Sequence, residues 1–417
     1  MAVCTYQIYS LYSNWQANPV IVNFDTKSTP IWKIPFPAVT ICPQSKSNHT
    51  KFILSQLLNK TEEDYSDFED RSLYALAHLC ERDHSLFESL RNRMINQDVI
   101  DDLLDFSLDS MKLFHSISFM GYSEGDNPFF EMFTNEGICY SFNLLDYKLL
   151  FNDNIDFSQQ MPDQEGRFRK ITNWTLEGGY QGFSRHTYPF RALASGIEAS
   201  LDIELKSLVA DIDPLCGNIE DGFKIALHTP GEFPRFEQDF IQIPFGQYVM
   251  VSVNPRVITT SENLRHYSPH KRQCYFDGEK PLKFFKMYTQ SNCELECITE
   301  YTKALCGCVK FSMPHSNDTK ICDTRVGITC YNEALSFFNF QNIADILKNE
   351  QLNVGGYFAE DNFDELEIDN FNINDSKSRN ESQCDCLPAC TSLQYDAEIS
   401  HNLLNIDIML KKGWKNE

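Results

Sequence analysis

The chain has 417 residues, with 36 lysines and arginines against 59 aspartates and glutamates, which gives a formal net charge of −23. This charge argues against nucleic acid or an anionic membrane surface as the main partner, because both are bound through basic patches. The composition is 42% hydrophobic and 13% aromatic, which excludes wholesale disorder. Fifteen cysteines are too many for an ordinary cytosolic enzyme and indicate either disulfides in an oxidising compartment or bound metal.

The first residues, MAVCTYQIYSLY, are typical of the last turns of a longer apolar helix that ends at Trp15 near a membrane interface. They lack the basic region and the cleavage site of a secretory signal peptide. No stretch of roughly 18 or more apolar residues occurs, so we expect no complete membrane-spanning helix in this sequence. Because a disulfide-rich chain must enter the secretory pathway, we expect the sequence to begin late in its protein. Cys4 lies in the apolar stub and is predicted to be unpaired.

Two kinds of periodicity alternate along the rest of the chain. Apolar residues at three- and four-residue spacing predict helices, and short β-branched runs broken by glycine and proline predict a mainly antiparallel sheet. The predicted helical stretches are 48–109, 282–305 and 331–352. The predicted extended stretches are 19–44, 136–260 and 393–410, and the acidic stretch 353–383 is predicted to be a loop. The sequence therefore predicts an α+β fold.

One motif has the form of a hydrolase nucleophile elbow. Residues 121–125 are Gly-Tyr-Ser-Glu-Gly and match G-x-S-x-G, but that motif needs a strand before Ser123 and a helix after it. The sequence Asp-Asn-Pro follows instead and is typical of a loop. No metalloprotease, P-loop or dinucleotide-binding motif is present. We therefore expect no enzyme, no catalytic residue and no cofactor.

The ten cysteines from position 274 to position 390 allow two interpretations. Zinc knuckles need C-x₂₋₄-C pairs; Cys293 and Cys297 barely have that spacing, and the pairs 306/308 and 384/386 are too close. Cys293 and Cys297 share one face of a predicted helix, with Cβ atoms roughly 5–6 Å apart. Cys384 and Cys386 share one face of an extended segment, about 6.6 Å apart. A helix and a strand lying side by side would carry two parallel disulfide rungs, although the spacing does not decide which cysteine joins which.

Six N-x-[ST] sequons are candidate glycosylation sites, and all fall in predicted loops or exposed helix ends, where a glycan can be carried. They are Asn48, Asn59, Asn173, Asn317, Asn374 and Asn380.

Several motifs resemble those of the degenerin/epithelial sodium channels. FPAVTICP at 36–43 is similar to the segment just outside the first membrane helix of that family. GICYSFN at 137–143, and GFKI with LH at 222–228, continue the similarity. The ordered cysteine series from KRQCYF at 271 to CDCLPAC at 384–390 extends it over the chain, and RQCYF and CGCV look most like the insect pickpocket branch.

The resemblance implies a subunit of a ligand- or stimulus-gated, amiloride-sensitive sodium channel that forms a homo- or hetero-trimer in the plasma membrane. Sodium ions and the lipid membrane are the implied partners, and nucleic acid is not one. Such a subunit has two membrane helices and a cysteine-rich extracellular domain likened to a hand. Residues 1–18 correspond to the end of the first membrane helix and a linker, with everything after about Trp15 extracellular. Residues 19–417 correspond to one composite domain: 19–44 palm strands, 45–135 finger, 136–270 palm and β-ball, 271–352 thumb, 353–383 loop and 384–417 the return to the palm.

The family order of cysteines also implies a disulfide pattern and the direction of the ladder. The nested rungs are Cys274–Cys390, Cys293–Cys386 and Cys297–Cys384. Cys306–Cys330 and Cys308–Cys322 close the loop between the two thumb helices, and Cys42–Cys139 lies upstream. Cys80–Cys216 is the pair that then remains. No metal site is implied.

The chain departs from the family pattern in three places. The second membrane helix with its small-residue selectivity filter is absent before Glu417, and so is the cytoplasmic His-Gly motif. Lys271 and Arg272 stand where acid-sensing relatives have a tryptophan, so proton gating is not carried over. We therefore expect mainly the extracellular gating domain of a channel, which conducts no current alone. The alternative is a secreted or surface disulfide-rich binding protein derived from such a channel, without a pore.

Overall fold

The computed structural model describes residues 2–17, 23–46, 60, 65–80, 99–106, 113–123, 128–153, 155, 174–182, 187–206, 221–349 and 384–405. Its strands are β1 (Ala38–Pro43), β2 (Phe114–Phe119), β3 (Tyr122–Ser123), β4 (Phe130–Thr134), β5 (Gly137–Phe142), β6 (Trp174–Thr175), β7 (Gly179–Tyr180), β8 (Leu201–Leu205), β9 (Phe223–His228), β10 (Ile241–Ile243), β11 (Gln247–Ile258) and β12 (Ser392–Leu403). Its α-helices are α1 (Ala2–Ala17), α2 (Asp67–Ala77), α3 (Val99–Phe106), α4 (Tyr147–Leu150), α5 (Pro269–Arg272), α6 (Gln290–Cys306) and α7 (Arg325–Asn349).

The centre of the fold is a five-stranded antiparallel sheet in the order β10-β9-β1-β5-β4. Every residue of β1 is buried, and successive side chains of a strand point to opposite faces of the sheet. Val39 and Ile41 accordingly join one apolar cluster, and Ala38 and Cys42 join another. The FPAVTIC run is mostly apolar because both faces of its strand are covered. The hydroxyl of its one polar residue, Thr40, is hydrogen-bonded with that of Ser141. The predicted α+β fold with a central antiparallel sheet is confirmed.

Different elements cover the two faces of the central sheet. The small sheet β3-β2-β8 covers one face with Phe119 and Leu201. Phe284 and Phe285, from the segment before α6, belong to the cluster on the other face. The segment before α6 therefore contacts the sheet directly.

A separate apolar cluster joins α2, α3 and α7. α2 begins with a capping box in which the Ser66 hydroxyl accepts from the Glu69 amide and Glu69 accepts from the Ser66 amide. Its apolar face, which includes Leu73, packs with Tyr331 of α7. The helices predicted within 48–109 are thus present at 67–77 and 99–106, and the rest of that stretch lies outside the described residues.

Three boundaries differ from the sequence expectation. α6 begins at Gln290 rather than near 282, because the Thr289 hydroxyl accepts from the Asn292 amide and caps the helix there. α7 begins at Arg325 rather than at 331, and the Thr324 hydroxyl accepts from the Gly327 amide at its start. Of the stretch 393–410, the described part forms the single strand β12.

Candidate functional site

A two-stranded ribbon connects to both ends of a helix pair. β11 and β12 pair antiparallel along their whole length, from Gln247 opposite Leu403 to Ile258 opposite Ser392. The chain leaves β11 towards α6 and α7, and it returns along 384–390 into β12. The outgoing and returning segments meet at Tyr275, whose amide donates to Pro388 O at 2.9 Å and whose carbonyl accepts from the Cys390 amide at 2.8 Å. We call α6 and α7 the helix pair and β11 with β12 the ribbon.

Two disulfides tie α6 to the returning segment, and a third ties Cys274, which lies before α6, to the same segment. Cys293 and Cys297 lie one turn apart on α6, and Cys386 and Cys384 lie two residues apart on extended chain. This is the geometry of parallel rungs that the cysteine spacing suggests. The three bonds and their Cα–Cα distances are Cys274–Cys390 at 5.0 Å, Cys293–Cys386 at 5.7 Å and Cys297–Cys384 at 5.9 Å.

One further disulfide joins α6 to α7, and another closes the loop between them. Cys306 bonds Cys330, and Cys308 bonds Cys322 across a loop that ends where α7 begins. The helices also share an apolar cluster that includes Ile298, Tyr301 and Phe338. Covalent links and buried contacts therefore hold the helix pair together as one unit.

The cysteines upstream of position 274 form one described disulfide. Cys42 on β1 bonds Cys139 on β5. Cys80 is disulfide-bonded, and Cys216 lies outside the described residues, so the pair Cys80–Cys216 is not placed. Cys4 is free and exposed on α1, as predicted. The six described disulfides are those that the resemblance implies. The ten cysteines from 274 to 390 all form disulfides, which rules out the zinc interpretation for them.

Two tyrosine hydroxyls donate hydrogen bonds to the returning segment beside the disulfides. The Tyr275 hydroxyl donates to the Asp385 carboxylate, and the Tyr288 hydroxyl donates to Leu387 O at 2.5 Å. Burial and then the bond to Asp385 raise the pKa of Tyr275 to about 12, so this hydroxyl keeps its proton at physiological pH. Lys280 lies 3.3 Å from the same carboxylate. Sequence reasoning missed these groups because their partners are about 100 residues away.

Arg272 lies two residues before Cys274, in the stretch of chain between the ribbon and the helix pair. It is buried, and its guanidinium donates to Tyr267 O at 2.5 Å, to Cys274 O at 3.0 Å and to the Glu279 carboxylate. Its Cζ also lies 4.7 Å from the centre of the Phe276 ring. Arg272 therefore fixes the turn between the ribbon and the helix pair from within.

A buried three-charge cluster lies at the edge of the central sheet. The Glu136 carboxylate, in the β4–β5 turn, accepts from Lys46 Nζ at 2.8 Å and from Lys224 Nζ of β9 at 2.7 Å. Burial opposes the charge on Glu136, but the two ammonium groups outweigh it and lower the pKa of the carboxyl to about 2. The cluster joins three chain segments that are distant in sequence.

Five of the six candidate glycosylation asparagines lie outside the described residues. Asn48, Asn59, Asn173, Asn374 and Asn380 are among the residues that the structure does not describe. Asn317 is described, and it is exposed in a turn of the loop between α6 and α7. Ser123, the serine of the hydrolase-like motif, lies in β3 of a tight hairpin with β2 rather than on a strand-to-helix turn.

The α1 helix carries large apolar side chains on its surface, including Tyr6, Ile8 and Leu11, each about two-thirds exposed or more. Among the helices that the structure describes, none is long and apolar enough to cross a membrane. No cluster of histidine, cysteine and carboxylate side chains suited to a metal is present in the described ranges.

A central antiparallel sheet with a disulfide-laddered helix pair defines a cysteine-rich domain of the extracellular type. The chain belongs to the amiloride-sensitive sodium channel family, whose family model matches residues 1–416. Members of this family are ion channels and not enzymes.

Three relatives illustrate the match. Pickpocket protein 28 of Drosophila melanogaster is 25% identical over 315 residues, which is 74% of this chain and 49% of the relative. Sodium channel protein Nach of Drosophila ananassae is 24% identical over 415 residues, covering 96% of this chain and 64% of the relative. The human bile acid-sensitive ion channel is 21% identical over 359 residues, covering 83% and 58%. The chain thus spans about half to two-thirds of the length of these relatives.

Proposed function

We propose that this chain is the extracellular gating domain of a stimulus-gated, amiloride-sensitive sodium channel subunit that assembles as a trimer in the plasma membrane. The helix pair serves as the family's thumb, the central sheet and the ribbon as its palm, and α2 with α3 as part of its finger. Residues after about Trp15 are extracellular, and α1 is the end of the first membrane helix.

One observation carries this proposal: two disulfides link α6 covalently to the returning segment 384–390, which continues into β12, whereas the helix pair and the segment before it rest on the central sheet through non-covalent contacts. A body that is stiff internally and tied to one strand transmits its displacement to that strand instead of deforming. Family membership supplies the context, since the relatives are channels. Sodium permeation and the trimeric state follow from the family and from no contact in this chain.

The test is electrical recording from cells that express the subunit encoded by the complete transcript. We expect a sodium current that amiloride blocks, and surface labelling that reaches the domain in intact cells. A replacement of both Cys293 and Cys386 by alanine should alter opening without abolishing surface delivery. Release of the domain into the medium, with no current from any expressed form, would contradict the channel and favour the secreted binding protein.

A further inference from the structure

The segment from 282 to 289, which leads into α6, is held against the palm on one side by backbone pairing. Phe285 forms an isolated antiparallel bridge with Phe151. The Asn152 amide donates to Phe284 O at 2.8 Å, and the Lys286 amide donates to Leu150 O at 2.9 Å. We call residues 282–289 the lead-in segment.

The side chain of Asn152 strengthens the same contact. Its Nδ2 lies 2.9 Å from the carbonyl oxygens of both Leu282 and Lys283, and 3.4 Å from that of Phe285. An amide nitrogen carries two protons, so the two closest carbonyls use its full donor capacity. One side chain thereby fixes the course of the lead-in segment over the residues after α4.

The side-chain amide of Asn292 holds the lead-in segment from its other side. We call the hydrogen bonds of Asn152 and those of Asn292 the two amide latches. Asn292 is fully buried in the first turn of α6. Its Oδ1 accepts from the Phe233 amide at 3.1 Å, and its Nδ2 donates to Gly231 O at 2.9 Å and to Met287 O at 3.3 Å. The side chain therefore joins α6, the lead-in segment and the turn that follows β9.

The turn at 229–233 reaches β12 as well. The Thr229 hydroxyl, which is buried, donates to Leu393 O at 2.8 Å. The turn also approaches the lead-in segment closely, because a Cβ on Gly231 would lie 2.3 Å from Met287 Sδ. A displacement of α6 at Asn292 would therefore be transmitted through this turn to both β9 and β12.

We propose that Asn152 and Asn292 are positioning residues that set the angle of the helix pair on the central sheet and couple its movement to β9 and β12. This inference rests on the proposed function of the helix pair as the moving thumb. The apolar contacts of Phe284 and Phe285 tolerate sliding, whereas amide hydrogen bonds are directional and have discrete partners. The two latches therefore select one orientation.

The experiment measures the distance between the helix pair and the small sheet β3-β2-β8, which covers one face of the central sheet, in the whole 417-residue chain. Spin labels replace two exposed residues, Val326 at the start of α7 and Tyr122 of β3. Pulsed electron paramagnetic resonance then reports the distance distribution. We expect one narrow distribution in the parent, and a broader or displaced one in Asn292→Ala and Asn152→Ala.

The Asn292→Asp variant distinguishes the hydrogen bonds of the amide latch from a contribution of residue 292 to the stability of α6 alone. A carboxylate in the first turn of α6 is favourable for the helix and still accepts from the Phe233 amide. Because burial favours the protonated form of this carboxyl, the distances are measured at about pH 9 as well as about pH 7. The ionised carboxylate has no proton to donate and faces the carbonyl oxygens of Gly231 and Met287. The latch predicts a changed distance distribution in Asn292→Asp. A distribution equal to the parent's in both the Asp and Ala variants would overturn the proposal.

Asn143→Ala is the matched control. Asn143 is also a buried asparagine, whose Nδ2 donates to Phe36 O and whose Oδ1 accepts from the Phe190 amide, both at 2.6 Å. Its loss should lower stability but leave the distance unchanged, and an equal broadening would show a merely structural effect and overturn the inference. If Asn292→Ala does not fold, Asn152→Ala and Asn292→Asp decide. The distances need no ion flow, so a channel without current would contradict the proposed function and not this one.

Discussion

The Glu136 carboxylate is the shared partner of the Lys46 and Lys224 ammonium groups. Its replacement leaves both ammonium groups without a carboxylate partner. Removing one member of a buried ion pair costs about 3–5 kcal/mol of unfolding free energy. We therefore expect Glu136→Gln to lose about that much in urea unfolding at pH 7. Replacing Lys46 by Met as well should recover part of the loss, because one uncompensated charge is then removed.

The control for Glu136 is the exposed pair of Arg256 and Asp396, whose side chains are 63% and 51% exposed. Exposed pairs contribute about 0–1 kcal/mol, so Asp396→Asn should change stability little. Equal losses in Glu136→Gln and Asp396→Asn would show that the buried cluster is not special.

His78 makes stability depend on pH. It is fully buried between Phe311 and Tyr331, and its Nδ1 lies 3.2 Å from the Tyr331 hydroxyl. Burial, followed by the charge of Lys310, lowers the pKa of His78 from 6.5 to about 3. Between these values the unfolded chain binds a proton that the folded chain does not, so stability is complete above pH 6.5 and falls as the pH drops towards 3.

His78→Phe removes this proton difference. The variant should be less stable than the parent at pH 7, because the Tyr331 hydroxyl loses a partner. The difference in unfolding free energy between the parent and the variant should become smaller on acidification, by up to about 1.4 kcal/mol per pH unit. Urea unfolding at several pH values between 7 and about 4 measures it, with the exposed His266→Phe as control. A difference that stays constant with pH would refute the assignment.

At the scale of elements, the ladder between α6 and the returning segment has a definite direction. Peptide mapping of the non-reduced protein should recover Cys293 with Cys386 and Cys297 with Cys384. The structure bonds the cysteines in this order, with Cα–Cα distances of 5.7 Å and 5.9 Å. The i, i+4 spacing on α6 makes two parallel rungs possible, because it matches alternate positions on the returning segment. A peptide that joins Cys293 to Cys297 would contradict the ladder.

Nesting should also limit what each rung contributes. Cys274 and Cys390 are 116 residues apart, but with Cys293–Cys386 intact their removal opens a loop of only about two dozen residues. In the chain-entropy picture such a loop is worth about 3 kcal/mol, against nearly 5 for an independent long loop. We expect Cys274→Ala with Cys390→Ala to cost about as much as Cys308→Ala with Cys322→Ala, whose separation is 14. A clearly larger loss for the 274–390 pair in urea unfolding would show that the rungs act independently.

At the scale of the whole molecule, the proposed extracellular topology predicts glycosylation. Asn317 is exposed in a turn of the loop between α6 and α7, the kind of surface position at which a sequon is glycosylated. Treatment of the cell-expressed chain with a glycosidase should lower its mass, and Asn317→Gln should remove one step of that shift. Asn254→Gln, an exposed asparagine of β11 outside any sequon, is the control. A mass that glycosidase does not change would contradict an extracellular domain.

Features that depend on local pattern are predictable from the sequence alone. The β-branched stretch 19–44, punctuated by prolines, predicts extended chain, and the structure forms β1 at 38–43 within it. The cysteine spacings at 293–297 and 384–386 predict parallel rungs between a helix and an extended segment, although only the family order gives their direction. The start of α6 was misplaced by eight residues, because the aromatic residues before it follow a helical spacing while they pack against the central sheet.

Which groups meet across long sequence separations follows from the tertiary structure and from no local pattern. Glu136 contacts Lys46 and Lys224 about 90 residues away on either side, and Asn292 contacts Phe233 and Gly231 about 60 residues upstream. No periodicity or spacing encodes such pairs, because a side chain carries its hydrogen-bonding capacity but not the identity of its partner. That identity follows from which backbone segments the packed core brings together, and for this chain it decides where the helix pair is held.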